Sequence, residues 1–200
     1  MRELNRLGVV VDLAHASPET MRDALEVSAA PVIWSHAAAR ALVDHPRNVP
    51  DDMLRRLPAN GGVLMVTFVP AFVSAKHGAW DAAETAERER LRAAYGRDDP
   101  RVRAGLEEWR RAHPMPAATL AQVADHIEHV RRTAGVEHVG LGGDFDGITC
   151  VVRGLENVST YPALFTELSR CGWSEDDLAK LAGGNVLRAA EERARRMVSR

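Results

Sequence analysis

Short apolar runs that break off on a residue able to do chemistry recur along this chain. Gly8-Val9-Val10-Val11-Asp12-Leu13-Ala14 ends on His15, and Ala30-Pro31-Val32-Ile33-Trp34-Ser35 ends on His36. His138-Val139-Gly140-Leu141-Gly142-Gly143 ends on Asp144, which opens the segment Asp144-Phe145-Asp146-Gly147. Apolar runs of about four to eight residues rich in Val and Ile predict strands buried on both faces, as in parallel sheets covered by helices. In such folds, above all in (β/α)8 barrels, reactive side chains collect at the C-terminal ends of the strands. The pattern therefore predicts that His15, His36 and Asp144 share one rim, and it points to metal-assisted hydrolysis.

The intervening segments read as helices, so the chain alternates strand and helix around a parallel sheet. The first strand is expected over about residues 8–14. Ser17-Pro18 then starts a helix, Ser as N-cap and Pro in the first turn, running to about Ser28. A second strand is expected over 31–35, a short helix near 51–57, and a third strand over 63–68 after the Gly61-Gly62 turn. Residues 75–117, charged and Ala-rich, are too long for a plain connection and read as a helical insertion or lid-like elaboration. A helix over about 119–133, stopped by Gly135, returns to a fourth strand over 138–143. Further helices are expected near 161–170, 174–182 and 185–198. One domain over residues 1–200 accounts for the length.

The bulk properties exclude several classes. A formal net charge of −2 gives no basic excess for nucleic acid or an anionic membrane surface. No apolar stretch approaches the roughly 18 residues of a membrane span. The N-terminus lacks the apolar core of a signal peptide, which makes the cytoplasm the expected compartment. Cys150 and Cys171 stand alone without a CxxC, so neither a disulfide framework nor a cysteine-based zinc site is supported.

Histidine suits zinc as a neutral imidazole, and catalytic zinc sites keep an open position beside their protein ligands. His15 and His36, at successive strand ends, form a candidate ligand pair. Each taken singly also fits a hydrogen-bonded structural histidine. Asp144 suits a metal ligand or a general acid/base, and the pair Asp144 and Asp146 also fits a loop-closing turn. If the strand continues, alternation places both carboxylates on one side. Arg47, on the loop after His36, can grip a carboxylate with two parallel hydrogen bonds, and otherwise reads as a solvated surface residue. His45 beside it reads as a loop residue. His126 and His129 flank the apolar stripe Leu120, Val123, Ile127 and Val130, and are expected to face solvent or cap the packing rather than hold a metal.

Together these segments resemble the membrane dipeptidase (renal dipeptidase) family of metallopeptidases. The resemblance runs from Leu7–Ser17 and Ala30–His36 through Arg47-Asn48-Val49-Pro50-Asp51-Asp52 and Gly140–Gly147. It continues through Gly154-Leu155-Glu156-Asn157-Val158-Ser159 to Gly184-Asn185-Val186-Leu187-Arg188. It implies a (β/α)8 barrel with a dinuclear zinc site that hydrolyses dipeptides, including those with a C-terminal D-residue. His15 and His36 then match ligands of one metal from strands 5 and 6. Arg47 matches the residue that binds the substrate's C-terminal carboxylate, and Asp144 matches the strand-8 proton shuttle.

The family's strand-1 His-x-Asp pair, its bridging glutamate and a substrate-binding histidine have no counterpart in this sequence. The expected fold is therefore the C-terminal half of the barrel, strands 5–8 with their helices. Four strands cannot close an eight-stranded barrel, so a complementing N-terminal half or a second copy is the expected partner. The expected function is a zinc-dependent dipeptidase. The alternatives are a related amidohydrolase acting on other amides or lactams, and a non-catalytic half-barrel.

Overall fold

A computed structural model describes residues 1–198. Four strands, β1 (Val11–Asp12), β2 (Val32–Ala37), β3 (Val63–Val66) and β4 (Val139–Leu141), pair in parallel in the order β1-β2-β3-β4. Helices α1 (Arg2–Arg6), α2 (Pro18–Val27), α3 (Asp51–Leu54), α4 (Leu57–Asn60) and α5 (Pro70–Val73) occupy the first part of the chain. They are followed by α6 (Ala75–Tyr95), α7 (Pro100–Ala112), α8 (Leu120–Ala134), α9 (Tyr161–Arg170), α10 (Glu175–Ala179) and α11 (Asn185–Val198). Among the described residues no helix is long and apolar enough to cross a membrane.

Local chemistry explains where the helices start and stop. The Ser17 hydroxyl accepts the Thr20 N–H at 3.3 Å, and Pro18 fills the first helical position of α2. Thr119 and Gln122 form a reciprocal capping box at the start of α8, and Gly135 ends that helix at φ 97°. Gly61 takes the left-handed turn into β3 at φ 82°.

The two faces of the sheet differ. Val11, Val32, Trp34, Leu64, Val66 and Val139 share one face, and all are buried beneath the helices. There Val123, Ile127 and Val130 of α8 and Leu164 and Leu168 of α9 complete a single main core. On the other face Asp12 is exposed and Ile33, Ser35 and Met65 are only partly covered. A second, small cluster of Leu91, Val102 and Leu106 pins α6 to α7. Glu84, buried within this helical hairpin, pairs with Arg88 at 2.8 Å and with Arg110.

The strands depart from the sequence reading in their limits. The run over 8–14 is ladder-bonded only at Val11–Asp12, with Val9 and Val10 46% and 41% exposed. β1 is an edge strand, and an apolar run becomes a ladder only where a neighbour supplies the other half of its hydrogen bonds. β2 runs two residues past its expected end and so carries His36 inside the strand. β4 stops at Leu141, and Asp144 turns the chain at φ 58° into a 3₁₀ turn, Phe145–Gly147. Asp146 is exposed on that turn, so the expected alternation of Asp144 and Asp146 along one strand does not occur.

Candidate active site

The ends of β1 and β2 bring the two histidines together. The Asp12 carboxylate accepts the Ala14 N–H at 2.9 Å, closing a turn that places His15 at φ 69°. Among the described residues His15 and Asp144 are the two non-glycine residues with positive φ. Left-handed backbone at a β-carbon-bearing residue is strained, and such residues gather at functional sites. In β2, Trp34 pairs with Leu64 and Ala37 with Val66, so the Ser35-His36 step carries one extra residue. This bulge turns His36 out of the regular alternation. The Nε2 atoms of His15 and His36 lie 3.0 Å apart.

A hydrogen-bond relay fixes the chemistry of His36. Asp12 accepts both the backbone N–H of Ser35, at 3.0 Å, and its hydroxyl, at 2.5 Å. Burial alone would raise the Asp12 carboxyl, but these bonds, the Ala14 N–H and the nearby His36 bring it below its ordinary value. Asp12 is then an acceptor only and takes the single Ser35 proton. Ser35 Oγ, 2.8 Å from His36 Nδ1, must accept from Nδ1–H. In the neutral ring this tautomer puts the lone pair on Nε2, facing His15, as a metal ligand requires. The His15 pKa is also lowered, by desolvation and then by Arg47 and His36, against the opposing pull of Asp144 and Asp12. Those effects favour the neutral form of the His15 ring, the form that can donate a lone pair to a metal.

Arg47 faces the same rim. Burial lowers its pKa, and the carboxylates of Asp144 and Asp12 act against that shift. Its guanidinium carbon lies 5.1 Å from the Phe72 ring centroid, and its Nε and Nη2 are buried without a hydrogen-bond partner. Gly147 packs against the Asp144 carboxylate, where a β-carbon would meet Oδ1 at 2.4 Å. Gly142 leaves room for the bulge in the same manner, since its β-carbon would fall 2.0 Å from the Ser35 carbonyl oxygen.

These side chains lie at the carboxyl ends of four parallel strands, and the match to known proteins follows the whole chain. A sequence model described as membrane dipeptidase (peptidase family M19) matches residues 1–199. The chain belongs to the membrane dipeptidase family. An uncharacterized dipeptidase of Schizosaccharomyces pombe is 44% identical over 189 residues, which are 94% of this chain and 37% of that protein. The probable dipeptidase PvdM of Pseudomonas aeruginosa superposes with TM-score 0.81 at 30% identity, over 98% of this chain and 53% of its own. A metallo peptidase of Rhodobacter sphaeroides, liganded with a phosphinate mimic of the dipeptide L-Ala-D-Ala, gives TM-score 0.72 at 25% identity. That match covers 96% of this chain and 44% of the other. The chain thus spans about half or less of the relatives it matches, and its four-stranded sheet corresponds to part of their fold.

Membership in a metallopeptidase family implies a metal-dependent centre. The donor set here fits it in part. Two imidazole nitrogens 3.0 Å apart are within reach of one ion at the about 2.0–2.1 Å of a zinc–nitrogen bond. Among the described residues no group of three His, Cys, Asp or Glu side chains converges to hold an ion.

Of the two alternatives for the histidines of α8, His126 takes the packing one: it is buried and its Nδ1 accepts the Ala39 N–H at 3.0 Å, while His129 Nε2 lies 2.8 Å from Asp51. His45 is more than a loop residue, because its Nδ1 accepts the Arg47 N–H at 3.1 Å. Asp12 and Ser35 are the site residues that sequence reasoning missed. Their signal was a polar residue inside an apolar run and a hydroxyl directly before a candidate ligand.

Proposed function

We propose that the chain carries one half of a zinc-dependent dipeptidase centre, and that it acts on dipeptides once the N-terminal half of the barrel is supplied. The observation that carries this reading is the convergence of two imidazole nitrogens at 3.0 Å on a rim shared with Asp144 and Arg47. His15 and His36 would hold one zinc ion, with Asp12 and Ser35 setting the His36 tautomer. A zinc ion bound there supplies a Lewis acid for the peptide carbonyl and lowers the pKa of water. Arg47 takes the C-terminal carboxylate of the dipeptide on its unpaired guanidinium N–H groups, which fixes the register of the scissile bond. Asp144 carries the proton to the departing nitrogen on its carboxylate.

The partly open sheet face and the β1 edge, with Val9 and Val10 exposed, are where the missing half packs. The dipeptide mimic in the Rhodobacter sphaeroides relative supports a substrate with a C-terminal D-residue. The test is hydrolysis of Gly-D-Ala by the chain mixed with a separately supplied N-terminal half. Asp144→Asn should abolish turnover with metal content intact, and Arg47→Ala should raise KM. Wild-type kinetics in both variants would remove these assignments.

A further inference from the structure

We propose that Phe72 and His45 form a clamp that holds the Arg47 guanidinium in place as a preset receptor for a carboxylate, making them positioning residues for substrate selection. This rests on the dipeptidase reading above but concerns residues that the reading leaves without a role.

The clamp has a backbone part and a side-chain part. His45 Nδ1 accepts the Arg47 N–H at 3.1 Å, and the Asn48 N–H donates to the His45 carbonyl at 2.9 Å. These bonds fold the loop into a tight turn around Arg47. The buried Asn48 side chain then donates to the carbonyls of Val43, at 2.9 Å, and Phe72, at 2.8 Å. The second of these bonds ties the Arg47 loop to α5, which follows β3. The Phe72 ring meets the His45 ring at a centroid distance of 4.4 Å, and the Arg47 guanidinium at 5.1 Å.

One aromatic ring is therefore the platform for both partners. A guanidinium stacks well on such a ring and keeps its edge N–H groups free. Nε and Nη2 of Arg47 are the groups left buried and without a partner. A flexible arginine would turn those donors to water. Held here, they await a planar acceptor with two oxygens, and the receptor is ordered before the ligand arrives.

The test is a side-chain NMR measurement on the full chain labelled with ¹⁵N-arginine, with acetyl-D-alanine as the carboxylate probe and acetyl-D-alaninamide as its neutral control. The Arg47 Nε–Hε signal, assigned by its loss in Arg47→Lys, should show an order parameter above about 0.6 in the unliganded wild type. It should shift with acetyl-D-alanine and not with the amide. In Phe72→Leu and in His45→Leu the order should fall and binding should weaken about tenfold, with other ordered arginine signals unmoved. Phe72→Tyr should restore both. A mobile Arg47 in the wild-type chain overturns the clamp without any variant having to fold, as does retained order and affinity in both Leu variants. An ordered Arg47 that no carboxylate shifts overturns its role as a receptor, whereas an ordered Arg47 shifted by acetyl-D-alanine in a chain that never hydrolyses dipeptides on complementation counts against the dipeptide reading alone.

Discussion

His15 and His36 face each other across 3.0 Å from unlike backbone settings, His15 in a left-handed turn and His36 in a strand bulge. Neither setting is what a chain adopts for stability alone. Both aim a ring nitrogen at one point, and the strain at His15 is the local cost of that aim.

Relieving the strain should separate stability from metal binding. His15 is exposed, so His15→Gly forfeits little packing and removes a β-carbon from φ 69°. The variant should be as stable as the wild type or up to about 1 kcal/mol more stable, while zinc binding is lost. Thermal melts with and without zinc check this. A strongly destabilised variant would show that the turn is not strained.

The relay behind His36 makes a separate prediction. Ser35→Ala leaves Nδ1–H without its acceptor and lets the ring rotate or change tautomer. Zinc affinity should fall by about 10–100-fold, read by competition with a chromophoric chelator, with little change in the melting temperature. Unchanged affinity would mean that Asp12 and Ser35 are not part of the site.

Gly142 is required by the bulge and not by a turn. Gly142→Ala drives a methyl group against the Ser35 carbonyl, a backbone atom that cannot swing aside. The expected loss is about 1–3 kcal/mol, measured as a lower denaturant midpoint. A neutral effect would show that β2 and β4 can part without cost.

Acid should weaken the fold through His126. Burial pushes its pKa down to about 4, aided by His129 and opposed by a hydrogen bond with the Val73 backbone. The native state thus keeps the ring neutral where the unfolded chain protonates. Stability is fully present above the unfolded value of about 6.5 and falls by up to about 3 kcal/mol as pH drops towards 4. His126→Gln, less stable at neutral pH, should show a shallower fall over that window. An identical slope in both proteins would assign the acid sensitivity elsewhere.

What the sequence revealed was the chemistry of neighbours along the chain. Ser17, Gly61 and Gly135 mark their element ends through local chemistry, and each does in the structure what its residue type predicts. The apolar runs before His15, His36 and Asp144 marked where β1, β2 and β4 lie, although β2 runs past His36 and holds it inside the strand. Interactions between distant positions were hidden. Asp12 reaches Ser35 across 23 positions, and Ala39 reaches His126 across 87. An apolar stripe with two histidines beside it gives no hint that one of them caps a backbone N–H from another loop. The short β1 was hidden for the same reason, since its length depends on its neighbours and not on its own residues.

This chain holds half of an active site. The most direct test of this is the rate of Gly-D-Ala hydrolysis in zinc buffer by the chain alone and by the chain mixed with a separately expressed N-terminal half of the barrel. Neither piece alone should turn over substrate, and the mixture should. Hydrolysis by the chain alone, or none from a mixture that forms a stable zinc-loaded complex, would contradict it.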